Sequence, residues 1–193
     1  MRIYIHEQGL ARFATEPYVA PKSSNLKNLF MHLTNYAINK TNQNFEQNKG
    51  GKAKGMKYED DDCDWSDEDE SGHKRSLNAI LKILLQQGAD PDKIMEEIKD
   101  IIVKTLIVGQ PYMSHIYRSC QPDDYDNSMC FQILGFDIMI DRKFKPWLIE
   151  VNQSPSFKTD SPLDYDVKKG VLVDAFKLLN VSQEKRHKLI IEK

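Results

Sequence analysis

The sequence lacks the features that mark secreted, membrane-spanning or nucleic-acid-binding proteins. No stretch approaches the roughly 18 apolar residues of a transmembrane helix, and the first residues do not show the basic-then-apolar pattern of a secretory signal. The 3 cysteines, Cys63, Cys120 and Cys130, show no C-x-x-C spacing, and their odd number argues against a disulfide framework. No basic and aromatic platform for nucleic acid is present. These absences predict an intracellular, reducing setting without membrane or nucleic-acid partners.

Familiar catalytic patterns are missing as well. The chain has no Ser-His or Cys-His pattern typical of a covalent nucleophile, and no glycine-rich loop that could hold phosphates. Neither covalent nucleophilic catalysis nor a phosphate loop is therefore predicted within these residues.

The acidic residues are concentrated in one segment. The formal net charge is only -2, but acids are bunched between Glu59 and Glu70, in YEDDDCDWSDEDESG. Such a segment cannot bury enough apolar surface to offset its ordering entropy, so we predict a disordered insertion at about residues 46 to 72. It lacks the glycine that an EF-hand calcium loop requires at its sixth position, which favours a solvated linker over a calcium site.

The start of the chain has the pattern of a β-hairpin. Ile3 and Ile5 alternate with polar residues, Gly9 supplies a turn, and Leu10 to Thr15 reads as a second strand. A domain that opens on a strand predicts that further sheet partners lie upstream, so that the domain is incomplete in this chain. The alternative is an edge hairpin at a true N-terminus.

The rest of the sequence alternates helix and strand patterns. Apolar spacing, caps and breakers predict helices over Leu26 to Leu33, from a Ser76 cap to a Gly88 stop, from Asp90 and Pro91 to near Gly109, and over Asp164 to Asn180. Runs of β-branched and aromatic residues predict strands over Cys130 to Asp141 and Pro146 to Asn152. This order of elements predicts an α+β domain, with a mixed or antiparallel sheet and flanking helices.

Three polar side chains interrupt the apolar runs of the last two strands. If Asp141 and Pro146 flank a four-residue turn, Asp137 lies directly across from Glu150. Asn152 follows Glu150 by two residues and is therefore predicted on the same face. A slip of one residue would separate the three groups, so the prediction depends on the turn.

The same alternation predicts the faces of the second strand. Leu148 is expected to share the side of Glu150, while Trp147, Ile149 and Val151 are expected on the other side. Both strands are expected to be buried.

Opposed carboxylates repel each other, and burying them is costly unless a positive charge lies between them. Asp137, Glu150 and Asn152 offer an incomplete shell of oxygen ligands, which is typical of Mg²⁺ that keeps waters and binds nucleotide phosphates. The absence of imidazole and thiolate disfavours zinc. The alternative is that the three side chains lie at a sheet edge in water, or pair with lysine or arginine from elsewhere.

Three segments resemble a known family. GLARFATEPY, MHLTNYAINK and GFDIMIDRKFKPWLIEVNQSPSF are similar to signatures of the tubulin tyrosine ligase-like family, most closely its tubulin polyglutamylase branch. The resemblance runs from residue 2 to about 180 and implies an ATP-grasp-type fold. It also implies Asp137, Glu150 and Asn152 as magnesium ligands, with no catalytic residue separate from them.

The resemblance implies roles for five further residues. Thr34 and Asn35 correspond to positions that contact ATP, Tyr36 to one near the incoming glutamate, and Lys74 to a lysine that meets the carboxylate of that substrate. Gln153 stands where relatives often have histidine, in NHSPSF, and is assigned to the glutamate site. Glutamine can hydrogen-bond a carboxylate or amine but does not titrate near neutral pH, which leaves acid-base chemistry there in doubt.

Structural alternatives stand beside these roles. Asn35 would cap the C-terminus of a helix, and Tyr36 would pack in a core. Lys74, next to Arg75, would be a solvated surface lysine.

The resemblance implies an ATP-dependent ligase that adds free L-glutamate to glutamate side chains of tubulin tails through an acyl phosphate. Tubulin and microtubules are the implied partners, and the implied location is the cytoplasm and cytoskeleton, including the cilium and basal body. On this reading residues 1–180 are the C-terminal part of a catalytic domain, residues 181–193 are a tail, and the chain alone has no turnover.

The alternatives are an inactive family member that binds microtubules or a partner, and a ligase with another donor or acceptor, such as a tubulin glycylase. The acidic DEDES could also imitate a tubulin tail and occupy the acceptor groove or become glutamylated itself.

Overall fold

The computed structural model describes residues 1–48, 71–124 and 130–179. Its strands are β1 (Leu10–Arg12), β2 (Lys74–Ser76), β3 (Gly135–Ile140) and β4 (Pro146–Asn152). Its helices are α1 (Leu29–His32), α2 (Tyr36–Asn39), α3 (Leu77–Gln86), α4 (Pro91–Cys120) and α5 (Pro162–Leu179). Helices combined with small antiparallel sheets confirm the α+β class.

The chain divides into two compact units. The first unit comprises Met1–Ile5 and Leu81–Phe157, and the second comprises His6–Ile80 and Lys158–Lys193. The predicted acidic insertion falls mainly on residues 49–70, which lie outside the described residues together with 125–129 and the tail from 180.

The two-stranded sheet of the second unit differs from the predicted hairpin. Residues 1–9 form no strand, and β1 instead pairs antiparallel with β2, with Arg12 opposite Lys74 and Leu10 opposite Ser76. The ladder continues beyond the strands, because Phe13 N–H donates to the His73 carbonyl at 2.9 Å. A partner more than 60 residues away in sequence gives no local signal, so the pattern alone pointed to the neighbouring segment.

The second unit also holds the ends of the undescribed segment together. His73 N–H donates to the Glu46 carbonyl at 3.0 Å, and Asn48 Nδ2 donates to the Ser71 carbonyl at 3.2 Å. The described residues on the two sides of this segment are therefore hydrogen-bonded to each other.

The two central helices begin as predicted, and one ends later. Ser76 Oγ accepts from Ala79 N–H at 3.1 Å at the start of α3, and Gly88 lies beyond its end with φ +88°. Asp90 accepts from Lys93 N–H at 3.1 Å at the start of α4. The predicted end near Gly109 is wrong, because α4 continues to Cys120 with Pro111 inside it. Glycine and proline weaken a helix, but a proline removes only one backbone hydrogen bond, and the following turns continue α4.

The first unit is built from α4 and the β3–β4 hairpin, which pack against each other. Ile94 and Ile102 of α4 are buried, whereas Val108 and Tyr112 on its later turns are 83% and 73% exposed. Among the described residues, no helix has the length and apolar character needed to cross a membrane.

A short turn closes the hairpin. The Asp141 carboxylate accepts from Lys143 N–H at 2.7 Å, from Lys145 N–H at 3.0 Å and from Trp147 Nε1 at 2.9 Å. The Trp147 hydrogen bond, followed by the backbone donors, holds the pKa of Asp141 below its usual value. Phe144 takes the left-handed φ of 63° that a chain reversal of this kind requires.

Candidate functional site

The first candidate site lies on the β3–β4 hairpin, where Asp137 is paired directly with Glu150, as predicted. The pairing arises differently from the prediction, however. Pro146 pairs with Ile140 and Leu148 with Ile138, so the turn by itself would place Ile149 across from Asp137. A β-bulge next to Asp137 leaves Ile149 as an extra residue and brings Glu150 into register.

The bulge also changes which side chains share a face. Paired residues lie on the same face of a ladder, so Glu150 lies with Asp137, whereas Leu148 lies with Ile138 on the other face. The predicted grouping of Leu148 with Glu150 is therefore wrong. Trp147, which pairs with Met139, belongs to the carboxylate face.

The strands are less buried than predicted. Glu150 is exposed, Asp137 and Asn152 are intermediate, and Ile149 is 58% exposed. The paired carboxylates therefore do not carry the full cost of burial, and their facing positions rather than their burial indicate a cation site.

The donor set fits a hard divalent cation. Asp137, Glu150 and Asn152 provide carboxylate and amide oxygens on one face, and Asn152 Nδ2 donates to Glu150 Oε1 at 3.3 Å. Among the described residues no group of three or more histidine, cysteine, aspartate or glutamate side chains could hold a metal. A cation on this hairpin would therefore rely on Asn152 or on water to complete its shell.

Gln153 follows directly after β4 in the same unit. Its side chain is exposed, and its backbone carbonyl accepts from Gln132 Nε2 at 3.1 Å. The structure thus brings Gln153 close in sequence and in space to Asn152, with an amide that is accessible to a ligand.

The second candidate site is an aromatic pocket in the second unit. The Tyr36 and Phe45 rings meet edge to face, with 5.8 Å between ring centres. The Phe45 and His73 rings are stacked, with 5.7 Å between ring centres. Lys74 Nζ lies 5.3 Å from the centre of the Tyr36 ring, within cation-π range. Tyr36, Phe45 and Lys74 line two adjoining open pockets.

A buried charge cluster forms one wall of this pocket. Lys74 Nζ lies 2.5 Å from Oδ1 of Asp164, and Lys168 Nζ lies 3.2 Å from the same oxygen. Ser161 Oγ donates to Asp164 Oδ2 at 2.8 Å. Lys74 is therefore no solvated surface lysine, since its side chain is only 14% exposed and that of Asp164 only 1%.

Electrostatics keep this carboxyl ionised. Burial by itself would raise the pKa of Asp164, but hydrogen bonds from Lys74 and Ser161 outweigh it, so the pKa lies below its usual value.

Thr34 and Asn35 lie exposed between α1 and α2. Asn35 occupies the N-cap position of α2 and its side chain makes no capping hydrogen bond, so its interpretation as a helix C-cap is wrong. The predicted helix over Leu26 to Leu33 is also wrong in extent, because α1 begins only at Leu29.

A buried amide holds this exposed segment in place. Asn39 Oδ1 accepts from the Thr15 backbone N–H and from Thr15 Oγ1, both at 2.9 Å. Its Nδ2 donates to the carbonyls of Leu33, at 2.8 Å, and Asn35, at 3.1 Å. These bonds use both N–H donors and both lone pairs of a side chain that is 1% exposed.

Sequence reasoning missed three of these residues. Asp164 follows Ser161 by three residues at the start of a helix, which is a readable capping pattern, but nothing local announces its pairing with Lys74. Phe45 is a single aromatic in an Asn-rich segment, and Asn39 is one of several asparagines there, so neither carries a distinguishing signal.

Comparison with known proteins decides the family. A family model described as "Tubulin-tyrosine ligase family" matches residues 1–189. The chain belongs to the tubulin-tyrosine ligase family. The resemblance of its hairpin and HLTNY segments is thereby confirmed.

Curated members of the tubulin-tyrosine ligase family match nearly the whole chain. A probable beta-tubulin polyglutamylase of Tetrahymena thermophila is 45% identical over 190 residues, which is 98% of this chain and 15% of that protein. Tubulin polyglutamylase TTLL7 of Xenopus tropicalis is 44% identical over 191 residues, 97% of this chain and 19% of that protein. The human TTLL7 protein is 43% identical over 197 residues, covering all of this chain and 20% of that protein. The chain thus spans only 15% to 20% of the length of these relatives.

Proposed function

We propose that the complete gene product carrying this chain is an ATP-dependent ligase that adds glutamate to glutamate side chains of tubulin tails. Family membership and the names of relatives at 42% to 45% identity support an amino-acid ligase acting on tubulin. The observation that carries the proposal is the facing pair Asp137 and Glu150, with Asn152 on the same face. An ATP-grasp fold, with residues 1–180 as the C-terminal part of its catalytic domain, belongs to the same proposal.

On this proposal Asp137, Glu150 and Asn152 would hold Mg²⁺, which would supply positive charge against the ATP phosphates. Their all-oxygen chemistry and shared face fit that ion. The exposure of Glu150 leaves room for water in the remaining positions.

The proposal also assigns contacts to residues outside the facing pair. Thr34 and Asn35 bind the nucleotide through exposed side chains, and the hydrogen bonds of Asn39 to the Leu33 and Asn35 carbonyls hold the backbone around them. Lys74 receives a carboxylate of the incoming glutamate beside the Tyr36 ring. Gln153, which follows β4, offers a neutral amide to a glutamate carboxylate or amine.

The reaction needs no covalent bond to the protein. An acceptor carboxylate oxygen attacks the γ-phosphorus of ATP. The bond to the leaving ADP breaks, and the acceptor becomes an acyl phosphate. The amine of free glutamate then attacks the acyl carbon, loses a proton and expels inorganic phosphate, which leaves a new amide bond. The residues of this chain bind and orient the reactants, and such positioning is a major source of rate in phosphoryl transfer.

The test is ATP-dependent incorporation of labelled glutamate into microtubules by the complete gene product. We expect Glu150→Gln to reduce the rate at least about 100-fold, because it removes one of the two facing charges. The matched control is Glu96→Gln, an exposed residue of α4 paired with Lys99, which should retain the wild-type rate. Wild-type activity in Glu150→Gln would contradict the assignment of the hairpin.

The same assay separates the other candidates. Labelled glycine in place of glutamate tests a glycylase. Microtubule binding without incorporation of either amino acid would indicate an inactive binder. A cytoskeletal location is part of the proposal and follows from the proposed tubulin substrate.

A further inference from the structure

The interior of the second unit is unusually polar around one carboxylate. Among the described residues, the buried polar side chains all belong to this unit: Thr15, Asn39, Asn48, Ser76, Ser161 and Asp164. Asp164 differs from the others because it is charged, and two ammonium groups share its Oδ1. A buried carboxylate with two lysines is more than helix capping requires, since the Ser161 hydroxyl and the backbone N–H already complete the cap.

The two lysines of this cluster lie in different surroundings. Lys168 also donates to the Lys158 carbonyl, which uses a second of its three N–H groups on the protein. Lys74 instead lines both pockets and lies over the Tyr36 ring. With one N–H directed at Asp164, two donors of Lys74 are available to a ligand in the pocket.

The charges of the cluster favour an anion. Lys74, Lys168 and Arg12, which lines the second pocket, carry three positive charges against the two carboxylates of Asp164 and Asp160, which line the first pocket. The buried half of the cluster lies away from bulk water, where charge interactions are stronger. A lysine side chain is flexible and costs entropy to fix in one rotamer. A buried partner that is itself held by Ser161 fixes Lys74 before a ligand binds.

We propose that Asp164 is a positioning residue that holds Lys74 in the aromatic pocket for the carboxylate of the amino-acid substrate. This rests on the proposed function, in which Lys74 receives that carboxylate. Asp164 acts through Lys74 and does not itself touch the substrate.

The first test is steady-state kinetics of the complete gene product. Asp164→Asn keeps the shape of the side chain and removes its charge, and we expect the KM for glutamate to rise about tenfold or more. The kcat and the KM for ATP should stay within about threefold of wild type. The matched control is Asp100→Asn, which breaks an exposed pair with Lys104 on α4 and should leave all three constants unchanged. Equal losses in kcat and in both KM values would overturn the proposal.

A double-mutant cycle tests whether Asp164 acts through Lys74. If it does, Lys74→Met and the double variant Lys74→Met with Asp164→Asn should have the same KM for glutamate. A purely structural role would make the two effects multiply, and that outcome would overturn the proposal.

Asp164→Glu covers the case in which the asparagine variant does not fold. Its extra methylene displaces the charge, and we expect a KM raised about threefold, so an unchanged KM would contradict the proposal.

Competitive acylation of lysines, read by mass spectrometry, gives a readout that does not depend on ligase activity. Relative to the exposed Lys104, we expect Lys74 to react at least about threefold faster in Asp164→Asn than in the wild type. Unchanged labelling of Lys74 would overturn the positioning role. If labelling changes as expected but the wild type incorporates no glutamate, the proposed function fails while the positioning of Lys74 by Asp164 stands.

Discussion

Asp137 and Glu150 face each other across the hairpin because Ile149 is an extra residue in β4. The turn sets one register for Ile138 to Ile140, and the bulge shifts the register by one residue where the carboxylates lie. A β-bulge re-aims the side chains next to it, and such irregularities recur near active sites. The position of the bulge therefore decides which residue of β4 faces Asp137.

Exchanging the two residues at the bulge tests this directly. The double variant Ile149→Glu with Glu150→Ile keeps the composition but places an isoleucine across from Asp137. We expect ATP-dependent incorporation of glutamate to fall at least about 100-fold in the complete gene product, as for Glu150→Gln. The control is Ile149→Ala, which trims an exposed side chain and should keep the rate. An active exchange variant would show that the facing pair is not required.

Asn39 should be essential for the stability of the segment that carries Thr34 and Asn35. Asn39→Asp replaces the amide donor by an oxygen directed at the carbonyls of Leu33 and Asn35. A carboxylate that is buried at this position and faces two carbonyls should lower the free energy of unfolding by about 3 kcal/mol or more. Thermal unfolding of the complete gene product, with hydrogen exchange read on peptides of this segment, measures the effect.

The control for that change is Asn44→Asp, which makes the same substitution at an exposed position of the following loop. It should change stability by less than about 0.5 kcal/mol. Equal exchange protection in the two variants would contradict the role of Asn39.

The Asp164 cluster should make stability depend on acid pH. Lys74 and Lys168 face Asp164 and the Ser161 hydroxyl donates to it, and the pKa of Asp164 is lowered. Its contribution is therefore fully present above the unfolded pKa of about 3.9 and is lost as the pH falls through the lower folded pKa. At pH 7 we expect the free energy of unfolding of the wild type to exceed that of Asp164→Asn by about 2 kcal/mol.

Denaturant unfolding of both proteins between about pH 7 and 2.5 measures this difference in the free energy of unfolding. The difference should shrink only below about pH 4. Because the two proteins share every other carboxyl, the difference isolates Asp164. A difference that stays constant down to pH 2.5 would show that the charge of Asp164 does not contribute.

Gln153 offers a test of acid-base chemistry beside the hairpin. Gln153→His introduces a side chain that titrates near pH 6.5, where glutamine does not. We expect the kcat/KM for glutamate to acquire a new inflection between about pH 6 and 7 that the wild type lacks. The exposed position should tolerate the change without loss of stability. Identical pH profiles for the two proteins would exclude contact between residue 153 and the reacting groups.

Much of the local structure could be predicted from short-range signals. The caps Ser76 and Asp90, the Gly88 stop and the extent of β4 follow the sequence closely, because each depends on residues within a few positions. The predicted end of α4 near Gly109 is wrong because Gly109 and Pro111 weaken a helix without forcing it to stop. Facing of Asp137 and Glu150 was predicted correctly, although the register at the turn was not.

The sequence by itself determined the class of the fold, the family and which polar residues interrupt the apolar runs of the hairpin, since these depend on local patterns and contiguous motifs. Only the tertiary structure decided that β1 pairs with β2, that Ile149 bulges, and that Lys74 joins Asp164 from 90 residues away. Those outcomes depend on which distant groups satisfy each other's hydrogen bonds and charges once the chain is compact. A buried carboxylate is stable only when it is paired and hydrogen-bonded, and its partners can come from any part of the chain. The neighbouring sequence therefore does not predict them.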